Sequence, residues 1–194
     1  MRGQAHTLEA IVASLVLLTG LIFALQMTAV TPLSASTSSQ HIENQQQAIS
    51  DGLLATAAER NALKPALLYW NNSSAQYHNA SETGLGVYAS TPPDNTFGGM
   101  LERVFDDRGI AYNVYIRFRG DRSRSPIIYL YNGRPSDNAV SASYTVTLTD
   151  DDHLYDTDGT QNETTLSEAS GFPVPDRGAH VYNTVRVEVV SWRI

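Results

Sequence analysis

AIVASLVLLTGLIFALQMTAV, residues 10–30, carries no charged side chain, and its one strongly polar residue is Gln26. As α-helix these 21 residues span about 31 Å at 1.5 Å per residue, which matches the hydrocarbon core of a bilayer. The apolar core of a secretory leader is commonly about 7–15 residues behind a basic flank. Here the flank holds Arg2, His6 and Glu9. The segment therefore predicts a helix that stays in the working protein as a membrane span or anchor. A signal peptide cut near Ser34-Ala35-Ser36 is the competing expectation. Arg2 lies before the run, and no Lys or Arg follows it until Arg60. The positive-inside bias then places the N-terminus in the cytoplasm of a single-pass protein, with everything after residue 30 outside the cell membrane.

The rest of the chain divides around this segment. Residues 1–9 form a short leader or N-terminal flank, 10–30 the transmembrane helix, 31–70 a helical extension or stalk, and 71–194 an extracellular head. Four Asn-x-Ser/Thr triplets, at Asn71, Asn72, Asn79 and Asn162, are candidate N-glycosylation acceptors, and all lie in the part placed outside. The 194 residues contain no cysteine, so disulfides, zinc–thiolate sites and thiol catalysis are excluded. Twenty acidic against 13 basic residues give a net charge of −7, which argues against nucleic acid as a partner. Lys64 is the single lysine beside 12 arginines. An acidic, lysine-poor, Ser/Thr/Asn-rich composition suits solubility in high salt, and the chain reads as salt-adapted.

Glu9 stands at the mouth of the apolar run. A carboxylate buried there without a partner is costly. Two readings fit: it sits at headgroup level where the helix dipole favours negative charge, or it meets a positive group on a neighbouring chain during assembly.

The stretch Arg2-Gly3-Gln4-Ala5-His6-Thr7-Leu8-Glu9-Ala10, followed at once by the apolar helix, resembles the leader of archaeal type IV pilin-like proteins. The likeness extends to Thr31-Pro32-Leu33-Ser34-Ala35-Ser36-Thr37 and His41-Ile42-Glu43-Asn44-Gln45-Gln46, which look like a haloarchaeal family of pilin-like membrane proteins. The resemblance implies cleavage after Gly3 by a prepilin peptidase, a helix held in membrane lipid, and packing of such helices with sister subunits into a filament core. In that group an acidic residue follows near the fifth mature position. Cutting after Gly3 makes Glu9 the sixth mature residue; cutting after Gln4 makes it the fifth.

Beyond the apolar run, Thr31-Pro32 is expected to kink or interrupt a helix, because proline removes one hydrogen bond. Residues 34–41 are the least helix-prone part, so a flexible stalk rivals a continuous helix. Ile42, Ile49, Leu53 and Ala57 recur at spacings of 7, 4 and 4, a stripe on one helical face. That leaves Glu43 and Gln45-Gln46-Gln47 on the wet faces. Helix is expected to continue from Leu53 to Tyr69, with a break at Lys64-Pro65.

In the head, residues 71–95 read as loop with at most one short strand near Val87. Phe97, Met100, Leu101, Val104 and Phe105 follow the i, i+3, i+4, i+7, i+8 pattern of an amphipathic helix, capped by Asp94 or Asn95 and ended by Gly109. Ile110, Tyr112, Val114, Ile116 and Phe118 then alternate with more polar residues as a half-buried strand. Further strands follow at Ile127–Tyr131, Val140–Leu148 and Val181–Ile194, with turns at 120–125 and Asn132-Gly133. The expected fold is α+β: a long N-terminal transmembrane helix, then a short amphipathic helix packed on a roughly four-stranded antiparallel sheet.

His6, His41, His78, His153 and His180 show no zinc-like spacing, and no nucleophile elbow, phosphate loop or dinucleotide turn is present. Asp150-Asp151-Asp152 and Asp156-Thr157-Asp158-Gly159 suggest a hard cation. However, placing Gly159 sixth in a calcium loop puts Leu154 first and Thr165 twelfth, where carboxylates belong. Arg117, Arg119, Arg122 and Arg124 are the one basic concentration; they serve either as a docking surface or, the preferred reading, as exposed partners of acidic residues. Tyr112, Tyr115, Tyr129, Tyr131 and Tyr144 read as sheet packing before they read as a sticky platform. With no catalytic, cofactor or metal residues to name, the chain is expected to be non-catalytic and without cofactors. It is read as a pilin-like surface protein, and alternatively as a single-pass protein whose head binds a ligand or partner without polymerising.

Overall fold

The computed structural model describes residues 2–80, 87–118 and 126–193; for residues 2–5 and 27–39 it describes the backbone alone. The chain divides into two compact units, Met1–Asn44 and Gln45–Ile194. Helix α1 (Arg2–Glu59) supplies residues to both. After it come α2 (Leu63–Leu67), β1 (Trp70–Asn71), β2 (Gln76–Tyr77), β3 (Tyr88–Ala89), α3 (Thr96–Phe105), β4 (Ile110–Phe118), β5 (Ile127–Tyr131), β6 (Val140–Leu148), β7 (His153–Tyr155), β8 (Gln161–Thr165) and β9 (Asn183–Arg193).

The fold is α+β, as the patterning predicts, but the main sheet has five strands in the order β3-β5-β4-β9-β6 and is mixed. The four expected strands are all present and pair with one another antiparallel. The fifth, β3, lies parallel to β5, with Tyr88 opposite Leu130 and Ala89 opposite Tyr131. It is the short strand expected near Val87; its parallel place beside β5 was not expected, because two residues carry no periodicity that names a partner. Residues 71–95 also hold a second unexpected pairing, the hairpin in which Trp70 faces Tyr77 and Asn71 faces Gln76. A third pairing joins β7 to β8 around Asp158-Gly159.

Alternation along the strands fixes which side is buried. Tyr112, Val114 and Ile116 on β4, Val185, Val187 and Val189 on β9, and Ala142 and Leu148 on β6 form the inner face. One hydrophobic core joins them to Leu53, Leu54 and Ala57 of α1, Leu63, Ala66 and Leu67 of α2, and Phe97, Leu101 and Phe105 of α3. The Phe105 and Tyr112 rings stack with centroids 4.8 Å apart. An edge-on cluster of Trp70, Tyr77, Tyr88 and Tyr129 fills the end of the core beside β5.

Helix α1 continues through Thr31-Pro32 and residues 34–41, where an interruption or a flexible stalk was expected. A proline removes only one donor from the helical ladder, and the residues on both sides hold the helix. Near its end the buried stripe is Gln46, Ser50, Leu53, Leu54 and Ala57, with Ile49 half-buried and Ile42 exposed. Gln46, placed on a wet face by its polarity, is buried because it stands four residues before Ser50. The Ser50 Oγ meets the Ser191 Oγ of β9 at 3.0 Å, and the Gln47 amide donates to the Ser141 carbonyl of edge strand β6 at 2.7 Å. The latter contact satisfies a backbone group that an open edge otherwise presents to other chains.

The break after α1 falls at residues 60–62, before Lys64-Pro65. Asn61 takes a left-handed φ of 50°, and Pro65 sits in the first turn of α2, where its missing N–H has no helical acceptor to lose. Lys64 pairs with Asp152 at 2.9 Å, tying α2 to the turn before β7.

Asn95, one of the two expected caps, starts α3 by accepting the Gly98 N–H at 2.9 Å. Gly109, at φ 64°, closes the 3-10 turn that follows the helix. Pro93 folds across the first turn of α3, so a Cβ on Gly98 would fall inside the envelope of the Pro93 carbonyl oxygen; one on Gly99 would meet nothing within 4 Å. Gly98→Ala is therefore expected to destabilise the protein by about 1–3 kcal/mol through overpacking. Gly99→Ala should stabilise it by about 0.5–1 kcal/mol through helix propensity. Urea unfolding of the two variants in detergent, followed by tryptophan fluorescence, checks the opposite signs.

Candidate functional site

Within the first unit, His6–Gln26 is a 21-residue helical stretch long and apolar enough to cross a bilayer. Every residue in it is exposed, including Ile11, Leu15, Leu18, Leu21, Phe23 and Leu25. A helix that is apolar on all sides has no wet face to offer water. Its backbone polar groups are satisfied within the helix, which is the condition for entering hydrocarbon. Its hydroxyls are satisfied as well: Ser14 donates to the Ile11 carbonyl at 2.9 Å and Thr19 to the Leu15 carbonyl at 2.7 Å. Neither therefore carries an unpaired donor into lipid.

Glu9 stands one turn after His6, with 3.8 Å between the His6 Nδ1 and a Glu9 carboxylate oxygen. When the imidazole is protonated, the pair neutralises the carboxylate at the entrance to the apolar stretch from within the same chain. Both side chains are four-fifths or more exposed, so the carboxylate is also open to an outside partner. The backbone is helical from Arg2, and of the expected processing residues, Gly3 and Gln4, only the backbone is described.

The four candidate glycosylation asparagines are not equivalent. Asn71 accepts the Ser73 and Ser74 N–H groups at 3.0 and 3.1 Å and so builds the β1–β2 turn. Asn72 accepts the Ser170 N–H. Asn162 is half-buried and spends its amide on Asp156 at 3.0 Å. Asn79 is exposed just after β2, at a left-handed φ of 56°, and among the four it presents the freest amide.

The acidic segment is spent on turns. Asp152 accepts the Thr149 N–H at 2.8 Å besides holding Lys64. Asp158 accepts both the N–H and the hydroxyl of Thr160, at 2.9 and 2.7 Å, and these bonds hold its carboxyl below the usual aspartate range. Among the described residues no three His, Asp or Glu side chains stand where they would hold a metal ion. Arg117 pairs with Glu188 across β4 and β9, as the charge-balance reading expects. Arg119, Arg122 and Arg124 lie outside the described residues.

Tyr112 and Tyr129 are core residues, Tyr115 is half-buried, and only Tyr131 and Tyr144 are substantially exposed, so the five tyrosines form no common platform. Sequence reasoning missed both small hairpins. Asp158-Gly159 between alternating segments and the Asn71-Asn72-Ser73-Ser74 run were the available turn signals.

The family model described as a family of unknown function (DUF7288) matches residues 2–191. No curated protein and no solved structure matches the chain.

The apolar stretch generates its own test. Leu17 is 75% exposed near the centre of the stretch, and an arginine at a helix centre opposes bilayer insertion by about 2.5–3.5 kcal/mol. Leu17→Arg is expected to move the protein out of the alkali-resistant membrane fraction, and Leu17→Ala to leave it there. Carbonate extraction followed by immunoblotting reads the difference.

Proposed function

The chain belongs to the DUF7288 family, and from that premise we propose that it is a non-catalytic, membrane-anchored surface protein of the pilin-like kind. In this reading it is a minor subunit of a type IV pilus-like filament. The observation that carries the proposal is the all-round exposed apolar stretch at residues 6–26 with the Glu9 carboxylate at its N-terminal border. Such a stretch has two environments open to it: lipid before assembly, and the apolar flanks of sister helices afterwards. The family match supports treating helix and head as one design, since it runs through both units.

In lipid, the association of helices relies on close packing and on paired polar groups, because hydrocarbon tails are as apolar as leucine. A carboxylate at the end of such a helix contributes a directional contact that apolar packing lacks. The mature N-terminal amine of a neighbouring subunit, freed by a prepilin peptidase, is a cation of the right reach. The charge asymmetry around the apolar run orients the second unit outward, and the lysine-poor acidic composition fits an archaeal, halophilic setting.

Intact-mass and N-terminal peptide mass spectrometry of protein from native membranes is expected to find Gln4 or Ala5 as the first residue. An intact Met1 or Arg2 would remove the processing step. Glu9→Gln separates the filament reading from that of a non-polymerising single-pass protein. Sheared surface filaments should lose the subunit while its membrane pool persists; an unchanged filament fraction, or a protein absent from filaments to begin with, favours the single-pass reading.

A further inference from the structure

The two edges of the main sheet differ. On one side β3 is only two residues long, and a very short strand is one way an edge is kept from pairing with other chains. On the other side β6 runs for nine residues, Val140–Leu148, paired with β9 throughout and without a bulge. No residue of β6 is charged and none is proline, so the usual protections of an edge are missing.

The Gln47 amide reaches the Ser141 carbonyl from outside the sheet, which fixes the direction of the backbone groups. Along a strand they point to alternate sides, so the N–H and C=O groups of Ser143, Thr145 and Thr147 also face outward. Just past the strand the Asp150 N–H points the other way and bonds the His180 carbonyl, as the alternation requires. Among the described residues the outward groups of Ser143, Thr145 and Thr147 have no hydrogen-bond partner.

The inner side of the same edge is incompletely covered. Tyr144 is 41% exposed and Val146 half-buried, although both lie on the face where Ala142 and Leu148 are buried. Beside them a cavity of about 180 Å³ opens between edge and helices, bordered by Ala58 and Asn61, by Leu63 and Lys64 of α2, and by Tyr144 and Val146.

A second copy of the chain fits this edge in a two-fold register. With Thr145 opposite its own counterpart, Ser143 faces Thr147 and Tyr144 faces Val146, each pair occurring twice. The three outward residues of each strand then exchange about six backbone hydrogen bonds. Ser141 keeps its contact with Gln47. Thr–Thr, Ser–Thr and aromatic–β-branched pairs are all favourable across strands. The register also carries each copy's Tyr144 to the other's Val146, where the cavity lies. Ring and cavity belong to the same chain, so one two-fold axis fills both cavities. A foreign strand would meet the same backbone groups, but this uncharged edge holds nothing that selects it.

We propose that β6 pairs antiparallel with β6 of a second copy, joining the two main sheets into one. The end of α1 runs alongside β6, from Gln47 at Ser141 to Ala58 near Val146. The two-fold axis stands normal to the sheet, so these stretches run in opposite directions in the two copies. The contact is isologous and closed, unlike filament packing, whose subunits share one direction. It rests on the second unit alone and is independent of anchoring and processing.

Because the chain has no cysteine, Thr145→Cys supplies a single thiol. Hydrogen-bonded residues opposite each other stand about 5.5 Å apart at Cα, within disulfide range. Copper phenanthroline oxidation of the full chain in neutral detergent is expected to give a disulfide dimer of this variant. Ala89→Cys, on the short edge, should give none. Sedimentation equilibrium reads the contact without a cross-link. Thr145→Glu sets like charges opposite each other and should weaken dimerisation by about tenfold or more. In the single copy it faces Arg186 of β9, so the fold stays intact. Thr145→Lys should be defective in the same way, and mixing the two variants should restore dimers. Raising the salt should strengthen the parent dimer, because screening weakens the repulsion between two chains of charge −7. Association through the apolar stretch would be indifferent to residue 145. A parent chain that stays monomeric at high salt overturns the proposal. So does a Thr145→Glu variant that pairs as the parent does, or a mixture of the two variants that stays unpaired.

Discussion

Nine consecutive residue pairs between β4 and β9, from Ile110 opposite Arg193 to Phe118 opposite Val185, set the frame of the second unit. Because side chains alternate along a strand, that register decides at once which residues of both strands look inward. One step of slippage would turn Val114, Ile116, Val187 and Val189 to the other face and leave the helices nothing to cover. The strands are about 70 residues apart in sequence, so their pairing carries a large closure cost that local propensity does not offset. The helical layer supplies what offsets it. The end of α1, then α2 and α3, close a single apolar core over the inner face. Sheet and helices are each incomplete without the other.

Polar contacts give that packing its direction. Ser50 on Ser191, Gln47 on the Ser141 carbonyl and Lys64 on Asp152 each join residues 88 or more positions apart. None contributes much alone, since a net hydrogen bond is worth about 1 kcal/mol. Together they fix where the helices rest on the sheet, because hydrophobic burial by itself is indifferent to small rotations and slides. Asn113 does similar work on the outer face. Wholly buried, it donates to the Gly133 carbonyl and the Tyr115 hydroxyl and accepts the Asn132 N–H, holding the turn after β5 against the sheet.

Helix α1 joins two kinds of surface in one continuous element. At residues 6–26 it is apolar on every side and exposed. From Gln46 onward it is amphipathic and buries one stripe. Neither portion behaves as the other would, since an all-round apolar helix dropped into water would aggregate, and an amphipathic one in lipid would strand its polar face. The all-round apolar surface and the fold of the second unit therefore rest on different stretches of one helix.

Sequence alone settled what depends on local pattern: the apolar run, the amphipathic α3 with its Asn95 cap, the Gly109 stop, and four alternating strands. Each is written in a spacing or a turn residue within about ten positions. The same local evidence misjudged Gln46, whose polarity says wet while its place in the helix says buried. It also misjudged Pro32, whose helix-breaking tendency is overruled by the helix on either side. What lay beyond it were arrangements of distant residues: the parallel addition of β3, the insertion of β9 between β4 and β6, and the place of β6 at the open edge of the sheet. No periodicity encodes these, because they arise when the core closes and brings together segments whose local sequences carry no record of one another.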